Sequence, residues 1–400
     1  GVLNAVGTPD SEVVFTHERP NQIWGGLYFS GEEANASVLE HVRIQYADDG
    51  IKGVDAAPHR IAYSVIRKVS VYGLRFELGA GNYGSLDIIG NRIEQGAGGA
   101  IKMILRSPAS RIDRIAIRGN TFRFWYTAGP IIESEVEELP APPEIVIEHN
   151  ILENGYRGVG GGFPAAGNVA FHDNHLRNSI SGSGVQPFHG GNEITNNLIE
   201  YTFEAPYELH PGHFVTSTTV RGNTVRGALT GFDHDWGDPT IVVEQNNLLA
   251  PEDMAFWTGG VGATDGGYDV EMRRNWWGTD DLHAIRAHIF DRLWIEENDP
   301  ENTDVMGTVW IEPVLTEPNG IGFIRGRVLD RNSGRPISSA TITLDGEILH
   351  SSANGEFFTS APQGPAHLTV GSPERAVTEY DVRVCSGTVT DITAELERDP

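Results

Sequence analysis

A single cysteine, Cys385, stands among 400 residues, so no intrachain disulfide can form and stability has to come from packing and backbone pairing. A fold with one continuous core needs no disulfides, which leaves the compartment open on this count. No apolar run reaches the roughly 18 residues that a helical membrane span requires. Cations are scarce. The chain has 29 Lys and Arg against 55 Asp and Glu, a formal net charge of −26. Nucleic acid and anionic membranes bind basic faces, so neither is expected as a partner, whereas divalent cations and a salty habitat are compatible. No secretory leader is visible. Strand-like runs at Glu12 to Phe15 and Trp24 to Phe29 place residue 1 already inside the folded body, so a removed leader and a lost cap are expected ahead of it.

Helical periodicity is also missing from the long middle of the chain, where many of the 48 glycines lie. Asparagine is there instead, in a repeat. Asn91, Asn120, Asn150, Asn174, Asn197, Asn223, Asn246 and Asn275 follow one another at steps of 29, 30, 24, 23, 26, 23 and 29 residues. Apolar residues stand five and three positions before each and two after: Ile115, Ile117 and Phe122 frame Asn120, and Ile241, Val243 and Leu248 frame Asn246. The frame is loosest at Asn197 and Asn223, where Asn192 and Thr218 fill the first apolar slot. It extends upstream with other residues in the asparagine position, Leu39 and Ile44 around Val42 and Ile61 and Ile66 around Ser64.

Spacings of two put the framing residues on one face of a short strand. A unit of that size cannot bury its own apolar face, so the units must stack as a solenoid. The dense leucine consensus of leucine-rich repeats is absent, and helical repeats lack their period; a parallel β-helix remains. Asparagine suits its turns twice over, by tolerating left-handed backbone angles and by hydrogen bonding up and down a stack of identical side chains.

After Trp276 and Trp277, Leu282, Ile285, Ile289 and Leu293 recur at helical spacing behind a Thr279 cap, predicting one capping helix over residues 280–294 that covers the exposed edge of the last coil. Thr308 to Ile311 reads as a last strand, and Glu312 to Gly320, with two prolines, as a linker. From Gly322 short strands alternate with turns such as Asn332-Ser333-Gly334 and Asn354-Gly355, predicting a small β-sandwich. The expected division is a solenoid over residues 1–318 and a sandwich over 319–400.

The run Asn275-Trp276-Trp277-Gly278-Thr279, followed by the Ile-rich helix and by Glu312-Pro313-Val314-Leu315-Thr316-Glu317-Pro318, resembles the closing segment of right-handed parallel β-helix repeat proteins of the pectate-lyase-like superfamily. Gly7-Thr8-Pro9 and Trp24-Gly25-Gly26-Leu27 are similar to their early coils. Gly334-Arg335-Pro336-Ile337 and Gly355-Glu356-Phe357 resemble the carboxypeptidase regulatory-like module. The resemblance implies an all-β chain, a right-handed parallel β-helix with a short capping helix and then a small β-sandwich. It does not name an activity, because the superfamily holds lyases, hydrolases, epimerases, tailspikes and adhesins.

Chemistry has to be sought on the next strand of each coil, about 10 residues after its asparagine. Aligning Ile101, Ile131, Val159, Val185, Tyr207, Phe232 and Phe256 sets the following outward position as Lys102, Ile132, Gly160, Gln186, Glu208, Asp233 and Trp257. The outward position two residues further reads Ile104, Ser134, Gly162, Phe188, His210, Asp235 and Gly259. Coils stack at about 4.8 Å, so Glu208, Asp233, His210 and Asp235 form a candidate catalytic cluster, with Gln186, Trp257 and His189 as candidate sugar contacts. Two carboxylates about 5 Å apart suit a retaining glycosidase, and their proximity would raise one pKa enough to make an acid. The glycine-rich coil Gly158 to Gly162 would open a groove beside them. Asp233 and Asp235 could instead ligate Ca²⁺. In lyases of this fold a Lys or Arg takes the proton, but Lys102 and Arg106 lie several coils from this patch, and the Asp-Asp, Gly-His-Gly and Arg-Ile-Lys signatures of polygalacturonases are missing.

The expectation is a secreted or surface-exposed protein that interacts with a polysaccharide or cell-surface glycan, with lyase or hydrolase activity in a groove on the solenoid face. The alternative is a non-catalytic structural or adhesive solenoid, glycan-binding or self-associating, whose outward polar residues are simply solvated.

Overall fold

The computed structural model describes residues 1–19, 22–123, 127–134, 143–155, 169–178, 191–201, 208–209, 217–227, 233–234, 241–249, 256–257, 269–300 and 307–398, with backbone alone for 127–134, 191, 208–209, 217, 233–234 and 256–257. Each asparagine frame spans two strands rather than the single strand its spacing predicts. Ile115 and Ile117 lie in Ser110–Arg118, Phe122 lies in Thr121–Arg123, and Asn120 stands at the corner between them. The corner is made by a left-handed residue just before the asparagine: Gly90 (φ 63), Gly119 (62), His149 (57), Asp173 (55), Asn196 (55), Gly222 (72), Gln245 (57) and Arg274 (56). His41 and Tyr63 do the same ahead of Val42 and Ser64, both at φ 49. The left-handed angle expected of the asparagine therefore falls one residue earlier. Non-glycine residues pay a steric penalty there, and Gly222 has a second reason to be glycine, since a Cβ would lie 2.2 Å from Asn196 Oδ1.

Stacking of these corners builds three parallel faces. The first strands of the coils form a twelve-stranded sheet running from Asn4–Val6 to Val309–Trp310, and the second strands a ten-stranded sheet from Val13–Phe15 to Asn247–Leu249. The third strands form a five-stranded sheet from Leu27–Ser30 to Thr127–Ser134 and a four-stranded sheet of Glu208–Leu209, Asp233–His234, Phe256–Trp257 and Ile289–Phe290. One apolar core runs between the faces from Ala5 to Ile311.

The asparagines do what the stack predicts. Each side chain is completely buried. Asn150 donates its backbone N–H to Asn174 Oδ1 at 3.0 Å and its Nδ2 to the same oxygen at 2.9 Å, and Asn174 repeats both bonds to Asn197 at 2.9 and 3.1 Å. A further bond reaches the backbone of the neighbouring coil, as from Asn174 Nδ2 to the Ile147 carbonyl at 2.8 Å. The pattern continues without a break from Asn91 to Asn275. Ser64 joins it upstream, accepting from Val42 N at 3.0 Å, while its own N–H donates to Asn91 Oδ1 at 3.0 Å. At the two loosest frames, Asn192 Nδ2 donates to Thr218 Oγ1 at 3.3 Å, so the polar occupants of the apolar slot bond to one another.

The far end of the solenoid differs from the single helix predicted over 280–294. Two short helices, Leu282–Arg286 and Arg292–Asn298, flank the strand Ile289–Phe290, which pairs in parallel with Phe256–Trp257. Ile289 is fully buried, so the apolar residue that completes the helical spacing serves as a core strand residue instead. Asp281 rather than Thr279 caps the first helix, accepting from the His283 and Ala284 N–H groups. Among the described residues no helix is long and apolar enough to cross a membrane.

Beyond Ile321 two antiparallel-rich sheets share one core. The first orders Glu356–Pro362, Ile321–Asp330 and Val389–Leu396; the second orders Glu347–His350, Thr341–Leu344, Gly364–Ser372 and Arg375–Val384. This pair of sheets lies along the second face of the solenoid. His149 Nε2 is 3.2 Å from Glu347 Oε1, Arg123 Nη2 donates to Glu356 Oε1 at 3.1 Å, and Phe323 and Phe358 pack on Ile151 and Leu198. Residues 312–320, read as a linker, are docked: Leu315 N donates to the Asn275 carbonyl at 3.0 Å and Asn319 N to Asn247 Oδ1 at 2.8 Å.

Removing one rung leaves the Asn150 backbone N–H without its acceptor and the Ile147 carbonyl without one donor, both in the core. Asn174→Ala is therefore expected to cost about 3 kcal/mol or more, and Asn174→Ser less, since Ser64 shows that a hydroxyl can hold a rung. Chemical-denaturation midpoints measure this; an Asn174→Ala midpoint equal to wild type would remove the ladder from the account of stability.

Candidate functional site

The third strands bring together what counting from the asparagines predicts. Glu208 is in register with Asp233, and Asp233 with Trp257. The row continues to Phe290, which is in register with Trp257 and which sequence spacing assigned to the capping helix. Two carboxylate-bearing residues and two aromatic ones thus occupy successive rungs of one parallel sheet, spaced at about 4.8 Å. His210, Asp235, Gln186 and His189 lie outside the described residues.

Upstream the alignment on apolar residues slips once. Ile101 is in register with Pro130 and Lys102 with Ile131, one residue short of the alignment that set Lys102 beside Ile132. Pro130, not Ile131, stands ten residues after its asparagine as Ile101 does after Asn91, so the apolar residue chosen for the alignment lies one place too far along. A one-residue error carries along the whole strand, so Ile132 and Ser134 do not hold the positions expected of them.

A second group of titratable residues was not found from sequence. It gathers around the Asn150 and Asn174 corners. His172 Nδ1 lies 2.7 Å from Asp173 Oδ2 and its Nε2 lies 2.9 Å from Glu148 Oε2, while Asp173 Oδ1 accepts from Ser360 of the C-terminal sheets. His175, fully buried, places Nε2 2.6 Å from Glu200 Oε2 and stacks on Phe358 at 4.9 Å between ring centres. Arg226 completes the Glu200 pair from the next coil. The recurrence of His149, His172 and His175 within two residues of a ladder asparagine was the available signal. Their burial beneath Glu347, Phe358 and Ser360 makes this group a seam between the solenoid and the C-terminal sheets rather than an open site.

The protonation states follow from these contacts. Burial pulls the His172 pKa down, but its hydrogen bonds to Asp173 and Glu148, and their charges, push it up to about 9. Burial outweighs Glu200 at His175 and lowers its pKa. Its Nδ1 is buried without a partner, so the neutral ring with its proton on Nε2, donating to Glu200, fits the site best. Burial pushes Glu200 up, yet hydrogen bonds from His175 and Arg226, with the charge of Arg226, bring it to about 2.

No family model matches the chain and no curated protein matches it in sequence. Among the described residues, no group of three or more His, Cys, Asp or Glu is placed to hold a metal ion.

The signs of the two shifts give a pH profile. His172, raised above its ordinary 6.5, contributes stability that is complete below that value and is lost as pH rises through about 9. Glu200, depressed below its ordinary 4.5, contributes above that value and loses its contribution as pH falls toward about 2. Melting midpoints measured across pH should fall on both sides of a plateau, with His172→Asn flattening the alkaline limb and Glu200→Gln the acid one. Limbs unchanged by both substitutions would assign the pH dependence to other groups.

Proposed function

We propose that this chain is a secreted or surface-exposed parallel β-helix protein that binds a polysaccharide along the third face of its solenoid, with Glu208 and Asp233 as the reacting carboxylates. The observation that carries the reading is the register of Glu208, Asp233, Trp257 and Phe290 on consecutive rungs. A linear polymer laid along the solenoid axis would meet two acids and then two rings, and flat apolar rings are surfaces on which sugars stack. Carboxylates on adjacent rungs meet the separation of about 5 Å that a retaining glycosidase uses, one serving as acid and base and the other as nucleophile. The resemblance of residues 275–279 and 312–318 to right-handed β-helix repeat proteins, and of 326–396 to the carboxypeptidase regulatory-like module, supports the fold part of this reading and names no activity.

Calcium enters as the competing role for the same carboxylates. Asp233 with Asp235 would hold the ion through oxygen ligands, and the ion would then neutralise an acidic sugar. The row is equally compatible with binding that leads to no reaction, because aromatic rungs alone suffice to hold a glycan.

One assay separates these readings. Acidic and neutral polysaccharides are incubated with the protein, with and without a calcium chelator, and scored for unsaturated and reducing-end products. Catalysis at this row requires Glu208→Gln and Asp233→Asn each to lower product formation by about 100-fold or more. Products that survive both substitutions remove the row from the chemistry. Retention of a glycan without products establishes the binding role alone.

A further inference from the structure

The charges of the second face alternate along the solenoid. Glu94, Arg123, Glu153, Arg177, Glu200 and Arg226 stand in register on consecutive strands from Arg92–Gly96 to Thr224–Arg226, each beside a residue of the other sign. A row of that kind is neutral along its length, so the C-terminal sheets can lie on it without gathering charge. They do not close on it completely. A cavity of about 210 Å³ remains over Arg123, Ile151 and Glu153, lined on its other side by residues of the strands Ile321–Asp330 and Val389–Leu396.

Most of the charge in this cavity is already matched. Arg123 pairs with both Glu153 and Glu356, and Glu356 also accepts from Asn354 Nδ2 at 2.6 Å. Arg325 donates through Nε and Nη2 to the two oxygens of Asp391 at 2.7 and 3.2 Å. What is left over has both signs and belongs to the two opposed walls. On the C-terminal side, the exposed Arg327 makes no hydrogen bond or ion pair among the described residues, because its register partner Glu356 is committed to Arg123 and Asn354. Arg325 Nη1 is free of Asp391, and the Thr393 hydroxyl stands beside Arg327 in register. On the solenoid side, Glu153 takes Arg123 through Oε2 alone, at 2.9 Å, which leaves Oε1 as an acceptor.

We infer that this cavity binds a small zwitterion, a free α-amino acid with an uncharged side chain, its carboxylate on Arg327, Arg325 Nη1 and Thr393 and its ammonium on Glu153 Oε1. A ligand of one sign fits worse in either case. An anion meets Glu153, Glu356 and Asp391, a cation meets three guanidiniums, and like charges brought together in such a site are costly. The size agrees, since 210 Å³ is below the roughly 300–1,000 Å³ of pockets for drug-sized molecules. A ligand that touches both walls stabilises the docked arrangement of solenoid and C-terminal sheets in proportion to its saturation. The cavity is on the second face, so the inference is independent of any glycan on the third.

Titration calorimetry and melting midpoints of the full chain test this with alanine and glutamine, each beside the two analogues that keep a single charge. These are propionate and ethylammonium for alanine, and 4-carbamoylbutanoate and 4-aminobutanamide for glutamine. At least one of the amino acids is expected to bind and to raise the midpoint, with both of its analogues about tenfold weaker or worse. Arg327→Gln removes a side chain that bonds to nothing among the described residues, so it should leave the midpoint of the unliganded protein in place while weakening the amino acid about tenfold or more. Glu153→Gln should weaken it similarly. Binding of neither amino acid overturns the site, as does an affinity unchanged in Arg327→Gln. Binding of the carboxylate analogue as tight as that of its amino acid also overturns it, by making the cavity an anion site.

Discussion

The whole solenoid depends on one side-chain amide repeated at a corner. A parallel coil that turns between two faces leaves backbone N–H and C=O groups at the bend with no strand partner, and these are inside the core, where an unpaired group costs about 1–3 kcal/mol. Asparagine answers this with two donors and an acceptor of two lone pairs in a short side chain. Its Oδ1 receives the N–H and Nδ2 of the asparagine on one side, as Asn223 Oδ1 does from Asn197, while its own Nδ2 reaches a carbonyl of that same coil, that of Ile194, and the Oδ1 of the next asparagine on the other side, Asn246. Because each residue is both client and supplier, the corners are held in line. That alignment fixes the register of all three faces.

This is also why the fold was so legible. The ladder tolerates coils of different length, since loops can absorb the difference, but it does not tolerate another residue at the corner without loss, so the asparagines survive as a visible beat. Even Asn197 and Asn223, whose frames are irregular, keep their rungs because Asn192 and Thr218 bond to each other. What the beat could not show was where the chain bends. The left-handed residue comes before the asparagine, at His149, Asp173 or Arg274 as readily as at a glycine, and a mixed set of occupants carries no readable pattern. The capping segment failed for a different reason. Ile285 and Ile289 satisfy a helical period, yet the free edge of Phe256–Trp257 offers strand pairing, and an unpaired sheet edge next to an apolar residue is the stronger demand.

The candidate site shares this pattern of gain and loss. Glu208, Asp233 and Trp257 were placed beside one another by counting from the corners, and their backbone register agrees. Ile132 was misplaced by one residue because the alignment was set on the apolar Ile131 while Pro130 holds the position opposite Ile101, and two adjacent isoleucines give no period-two signal to choose between them. The seam of His149, His172 and His175 was invisible for a simpler reason. Its meaning lies in Glu347, Phe358 and Ser360, which are nearly two hundred residues away in sequence, and no periodicity links a solenoid corner to the module that covers it.

Charge along the stack follows the same demand for a partner on the neighbouring rung. Where a charged rung serves the fold, its partner is on the next rung and of opposite sign, as Arg123 and Glu153 are; such pairs add little each when exposed but avoid repulsion along a stack whose neighbours are only about 4.8 Å apart. A solenoid meets this condition on every face or pays for each exception in repulsion that grows with the number of like rungs. The row Lys52, Arg75 and Lys102, in register on the third face, tests this condition, and Glu77, two residues from Arg75 on the same side of its strand, meets it by pairing with both Arg75 and Arg106.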